Sequence, residues 1–180
     1  MTAAIPPSAR DEPWTWGLIA LMRRLEQGAP DKPRLGTGTT LADEIATPVQ
    51  PPHLAFPDTE VIALETPEGR PPRILTPMLG FFGPQGPLPL AMTAEAMDWQ
   101  RSGDPSFAEF AGLLSARFAQ LWYRAWANAR GITSLDNPHA ARLPSPAGAL
   151  LGEALDALAP PAGAPGRGAL AGLAGARVRS

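Results

Sequence analysis

Prolines at positions 30, 33, 48, 51, 52 and 57 recur too often for residues 30–57 to hold a long regular element. Each ring removes a backbone donor and drives the preceding residue out of the helical region. With 23 prolines and 18 glycines among 180 residues, nearly a quarter of the chain punctuates its own backbone. A hydrophobic fraction of 44% nevertheless supplies the material for a core. Such a chain cannot build a coiled coil, a helical solenoid or a compact α/β barrel. It can build a few short elements joined by connectors that are ordered by packing.

Several chemistries are excluded by residue type. The chain has no cysteine, which removes disulfides, thiolate zinc sites, iron–sulfur clusters and a cysteine nucleophile. His53 and His139 are the two histidines and Lys32 the one lysine, with a formal net charge of −2. No basic field marks a nucleic-acid partner. There is no apolar run of membrane-spanning length. The opening MTAAIPPSARDEP lacks the basic and apolar regions of a signal peptide, so a cytoplasmic protein is expected.

The pattern along the chain predicts an α+β fold. Residues 1–12 are read as a flexible arm. Trp14, Leu18, Leu21, Met22 and Leu25 recur at helical spacing, predicting a short amphipathic helix over 13–27 that Gly28 ends. Val61 to Leu64 and Arg73 to Leu75 flank the turn Pro67-Glu68-Gly69-Arg70, predicting a β-hairpin, and Pro77 pushes the returning strand toward a sheet edge. Thr93 is placed to cap a short helix over 94–101. Asp104 followed by Pro105 opens a long helix that runs to about Ala129. Phe107, Phe110, Ala111, Leu114, Phe118, Leu121, Trp122, Ala125 and Trp126 make one broad apolar stripe on it. Residues 13–131 are read as one region. Residues 132–180 are read as a poorly ordered segment, with 12 Gly or Pro between Pro144 and Gly175.

The candidate chemical motifs are weak when weighed one by one. Ser134, Asp136 and His139 are the residue types of a hydrolase triad, but Ser-Leu-Asp-Asn-Pro-His within six positions reads as a polar turn. The glycines of Gly80-Phe81-Phe82-Gly83-Pro84-Gln85-Gly86 lack the lysine and the free N–H groups of a phosphate cradle. Asp43 with Glu44, and Asp58 with Glu60, read as solvated charges or helix caps, and His53 as a packing or turn residue. Pro84-Gln85-Gly86-Pro87 is a formal PxxP, which an adaptor protein would present as polyproline II. The density of Phe81, Phe82, Leu88 and Leu90 around it favours packing, internal or between subunits. Trp122 and Tyr123 are adjacent on the long helix and point about 100° apart, so one of them is free to meet a partner. No catalytic, cofactor or metal-ligating set emerges.

Five ordered segments carry a resemblance. They are Leu18-Ile19-Ala20-Leu21-Met22-Arg23-Arg24-Leu25-Glu26, then Pro33-Arg34-Leu35-Gly36, then Leu54-Ala55-Phe56-Pro57 with Glu60-Val61. The run from Leu79 to Leu90 is similar to the motif LGLxGPxGPLPL, and Phe107 to Trp126 to the helix FLDLFNHRLxSLFYRAW. Over residues 14–130 the chain resembles the TssG (ImpH/VasB) family of type VI secretion baseplate subunits. It departs at Ala91-Met92-Thr93-Ala94-Glu95, where the family has a histidine and a threonine-glutamate, and around Ser115-Ala116-Arg117, where it has asparagine-histidine. The 180 residues resemble the N-terminal half of such proteins, an incomplete domain.

The resemblance implies a non-enzymatic structural protein of the cytoplasmic baseplate that supports the contractile tail. It implies a wedge with two copies of TssF, joined to TssK and other baseplate subunits. It implies no cofactor, small-molecule substrate, nucleic acid or membrane insertion. The residues expected at or beside subunit contacts are Phe81, Phe82, Pro84, Pro87, Leu88, Trp122, Tyr123 and Trp126.

Overall fold

The computed structural model describes residues 5–130 together with Thr133 and Asp136. The chain forms two units, residues 1–124 and 125–180. Among the described residues the order is α1 (Pro7–Asp11), a 3-10 turn (Pro13–Thr15), α2 (Leu18–Gln27), β1 (Thr47–Val49), β2 (Ala63–Glu65), β3 (Arg73–Leu75), α3 (Leu90–Arg101) and α4 (Ser106–Asn128). The fold is α+β, as the sequence predicts. Residues 7–11, inside the predicted arm, are helical, with Ala9 fully buried.

The predicted helix over 13–27 is divided. Trp16 and Gly17 are extended, and α2 starts at Leu18. The break is held from a distance, because Glu60 Oε2 accepts the Leu18 N–H at 2.8 Å. A carboxylate at a helix N-terminus satisfies an orphan donor and meets the positive end of the dipole. Leu18, Leu21, Met22 and Leu25 are then buried as one face.

The hairpin forms, with β2 antiparallel to β3 in the register Ala63↔Leu75, Leu64↔Ile74 and Glu65↔Arg73. The expectation for Pro77 is corrected. The sheet order is β1-β3-β2, so the returning strand is central. It ends at Leu75, and Pro77 lies beyond it, where no ladder donor is lost. The proline inside the sheet is Pro48, on the edge strand β1, which pairs parallel to β3 as Thr47↔Arg73, Pro48↔Ile74 and Val49↔Leu75. Thr47 N–H donates to Pro72 O, and Val49 O accepts from Thr76 N–H. Pro48 therefore turns its missing donor outward, and Ile74 is buried at the centre.

Thr93 is likewise not a cap. Helix α3 starts three residues earlier, after Pro89, whose carbonyl accepts from the Met92 and Thr93 N–H groups. Thr93 is buried inside the helix, and its hydroxyl accepts the Gly83 N–H at 3.3 Å. Helix α4 spans 23 residues, close to the predicted bounds, and Asp104 caps it by accepting the Ser106 N–H at 3.0 Å.

Candidate interaction surface

The long helix is apolar on most of its circumference, so the sequence leaves open which face it buries. The buried face carries Ala111, Gly112, Ser115, Ala116, Ala119, Gln120 and Tyr123. These are mainly small residues. They let the helix backbone approach the sheet so closely that a Cβ on Gly112 would stand 3.0 Å from Val49 Cγ1. The bulky side chains point the other way. Phe110 is 61% exposed, Phe118 56% and Leu113 52%, and Leu114, Leu121 and Trp122 are also exposed. The stripe read from the sequence is thus mostly an outward surface rather than a core face.

Polar bonds fix the inner face and so set the orientation of the outer one. Tyr123 is fully buried and donates its hydroxyl to Glu26 Oε2 at 2.7 Å. Glu26 Oε1 accepts from Arg34 Nε and from Leu35 N–H, each at 3.2 Å. One carboxylate therefore joins α2, the loop after it and α4. Gly36 O accepts from Arg117 at 3.0 Å and Arg124 at 3.1 Å, while Gly36 N–H donates to Glu44 Oε2 at 3.1 Å. Gln120 Nε2 donates to Ala46 O at 3.2 Å. Gly36 sits at φ 73°, and an added Cβ would meet Gln120 Cβ at 3.1 Å, so both backbone shape and space require glycine there.

The glycine–phenylalanine–proline segment lies beside this helix as a closed turn. Gln50 organises it. Its Oε1 accepts the Phe82 N–H at 2.8 Å, and its Nε2 donates to Pro77 O at 2.9 Å and Phe82 O at 3.0 Å. A Cβ on Gly80 would fall 2.0 Å from Gln50 Oε1, so the loop passes directly over the amide. Across the PxxP, Gly86 N–H donates to Gly83 O at 3.0 Å, and Leu88 N–H to Phe81 O at 3.1 Å. These are turn bonds; a polyproline II ligand has none.

The eight residues expected at contacts are distributed as follows. Phe82 is 2% exposed and packs with Ala96 and Ala111, flanked by Phe81, Leu88 and Phe107. Its ring meets Phe107 edge-on at 5.8 Å. Phe81, Pro84, Leu88 and Trp126 are half-buried, and Pro87 and Trp122 exposed. Phe81 meets Phe118 edge-on at 6.2 Å, which joins the turn to the outer face of α4. Tyr123 and Phe82 hold that face from beneath. Phe110, Leu113, Leu114, Phe118 and Leu121, which complete the exposed surface, were absent from the expected set. The repeat of small residues at 111, 112, 115, 116 and 119 is the sequence signal that would have assigned the inner face. In the second unit Arg130 stacks its guanidinium over the Trp126 ring at 4.4 Å.

Ser134 and His139 of the possible triad lie outside the described residues. Among the described residues, no group of three or more His, Asp or Glu is placed to hold a metal ion, and no helix is long and apolar enough to cross a membrane. The arrangement offers an apolar surface on a braced helix.

The family described as type VI secretion, TssG, matches residues 12–180. This chain belongs to the TssG family. It is thereby a type VI secretion protein, from a family of structural components that work in a multi-subunit complex, and protein partners are implied. The curated proteins and the solved structures give no match.

Proposed function

We propose that this TssG-family chain is a structural, non-enzymatic subunit of the type VI baseplate wedge. It assembles with TssF and TssK on the cytoplasmic side of the inner membrane, and the outer face of α4 is its contact with TssF. The observation that carries this reading is the exposed row Phe110, Leu114, Phe118, Leu121 and Trp122 on a helix anchored from behind. A row of exposed large apolar side chains on one helix face is a feature of protein contacts. Aromatic side chains are enriched where partners bury most. The family membership supplies the context of a secretion complex.

The test is co-expression with TssF and TssK from the same gene neighbourhood. Phe118→Asp and Trp122→Asp chains should remain soluble and lose TssF on affinity purification. Recovery of TssF at the wild-type yield would overturn the assignment of the α4 face.

A further inference from the structure

Resting on the reading of α4 as a docking face, we infer that the groove beside β1 receives an amphipathic helix of the partner protein, with a carboxylate on one flank of its apolar stripe and a cation on the other. The groove measures about 730 Å³ and lies between the hairpin turn, β1 and the first turns of α4. Leu41, Val49, Phe110 and Leu113 line it, with Arg70 on the hairpin wall and Glu109 on the helix wall. Phe110 and Leu113 also belong to the exposed face of α4, so groove and face are one continuous surface.

An added strand does not fit this place. Strand addition needs alternating free donors and acceptors along the sheet edge. The outward residue of β1 is Pro48, which has no N–H, and the neighbouring Ala46 carbonyl is occupied by Gln120. The surface therefore takes side chains rather than a backbone. From Phe110 to Trp122 the exposed side chains follow helical spacing over about 18 Å, a ridge that packs against the apolar face of another helix of three turns or more.

The flanks specify the charge. Arg70 and Glu109 are both exposed, and neither forms an ion pair among the described residues. Arg73, on the same wall, is already turned to Glu65 at 3.7 Å. A groove with one available cation on one wall and one available anion on the other favours a helix of mixed flanks and sets the direction in which it lies.

Two synthetic helical peptides of about four turns test this, with the same leucine face and labelled for fluorescence polarisation. One carries Glu along one flank and Lys along the other; its control carries Gln on both. The full chain should bind the charged peptide about three- to tenfold tighter at low salt, within the range two exposed ion pairs provide. In an Arg70→Gln/Glu109→Gln chain the two affinities should fall within twofold of each other. Equal affinities for the wild-type chain, or no binding of either peptide, would overturn the inference. If the peptides bind equally while Phe118→Asp still releases TssF, the charged groove alone fails and the α4 reading stands. Charge-selective binding by a chain whose Phe118→Asp variant keeps TssF removes the TssF assignment and leaves the groove's specificity in place.

Discussion

Tyr123 on α4 and Glu26 on α2, 97 residues apart in sequence, are joined by a buried hydrogen bond of 2.7 Å from the phenol to the carboxylate. Tyr123→Phe keeps the ring and its packing but leaves one carboxylate oxygen short of a donor. Hydrogen bonds to charged groups contribute about 1.5–3 kcal/mol, so urea denaturation should show a loss in that range. Glu26→Gln should also destabilise, since it breaks the Arg34 pair at 3.2 Å. The double variant should fall short of the sum of the two losses by at least about 0.5 kcal/mol, as residues in one network do. Additive losses would mean that the two groups act independently.

The two faces of α4 should respond oppositely to size. Ala119 is 2% exposed on the inner face, where a Leu side chain has no room. Ala119→Leu should cost about 1–3 kcal/mol by overpacking. Phe110 is 61% exposed, and Phe110→Ser should change stability by no more than about 0.5 kcal/mol. Thermal unfolding of the two variants checks both. A large loss at Phe110 with none at Ala119 would reverse the orientation of the helix.

Much of the fold is legible in the sequence, for identifiable reasons. Asp104-Pro105 carries its own N-terminal signal, so the start of α4 is readable locally. The hairpin is readable because Gly69 takes the positive φ that the turn between two apolar runs requires. Strand β1 is not, because Pro48 argues against a strand and only pairing with β3 fixes it. The buried face of α4 is obscured for another reason: the large side chains carry most of its apolar surface, yet close approach favours the small ones. The polar organisers escape for a third reason. Glu26, Gln50 and Glu60 are single residues whose partners lie in other segments, and no local pattern reports them. Glu26 does fall four residues after Met22, on the buried stripe of α2, and an acid there is the one local sign of a buried partner.

The capping of α2 by Glu60 makes a further prediction. Glu60→Ala removes the oxygen that accepts the Leu18 N–H at 2.8 Å and leaves that N–H to find water. The loss should be about 0.5–1 kcal/mol in denaturant, typical of a helix cap. Hydrogen exchange at Leu18 should rise by more than that at Ile74 in the central strand. Equal acceleration at both amides would show that the carboxylate supports the whole unit rather than the start of the helix.

Acid should act on the start of α4 through Asp104. The Ser106 hydroxyl and then its backbone N–H hold the Asp104 carboxyl below the usual value. A carboxyl whose folded value is depressed adds stability above its unfolded value, near 3.9 for aspartate, and loses it as pH falls through the folded value. An Asp104→Ala chain lacks this contribution at every pH. The gap in melting temperature between the two chains should therefore be constant above about pH 5 and narrow as the pH falls below the unfolded value and through the folded one. Phosphate and acetate buffers at one ionic strength keep screening equal across the series. A gap that widens toward low pH would mean that protonated Asp104 is the stabilising form, against the direction set by its hydrogen bonds to Ser106.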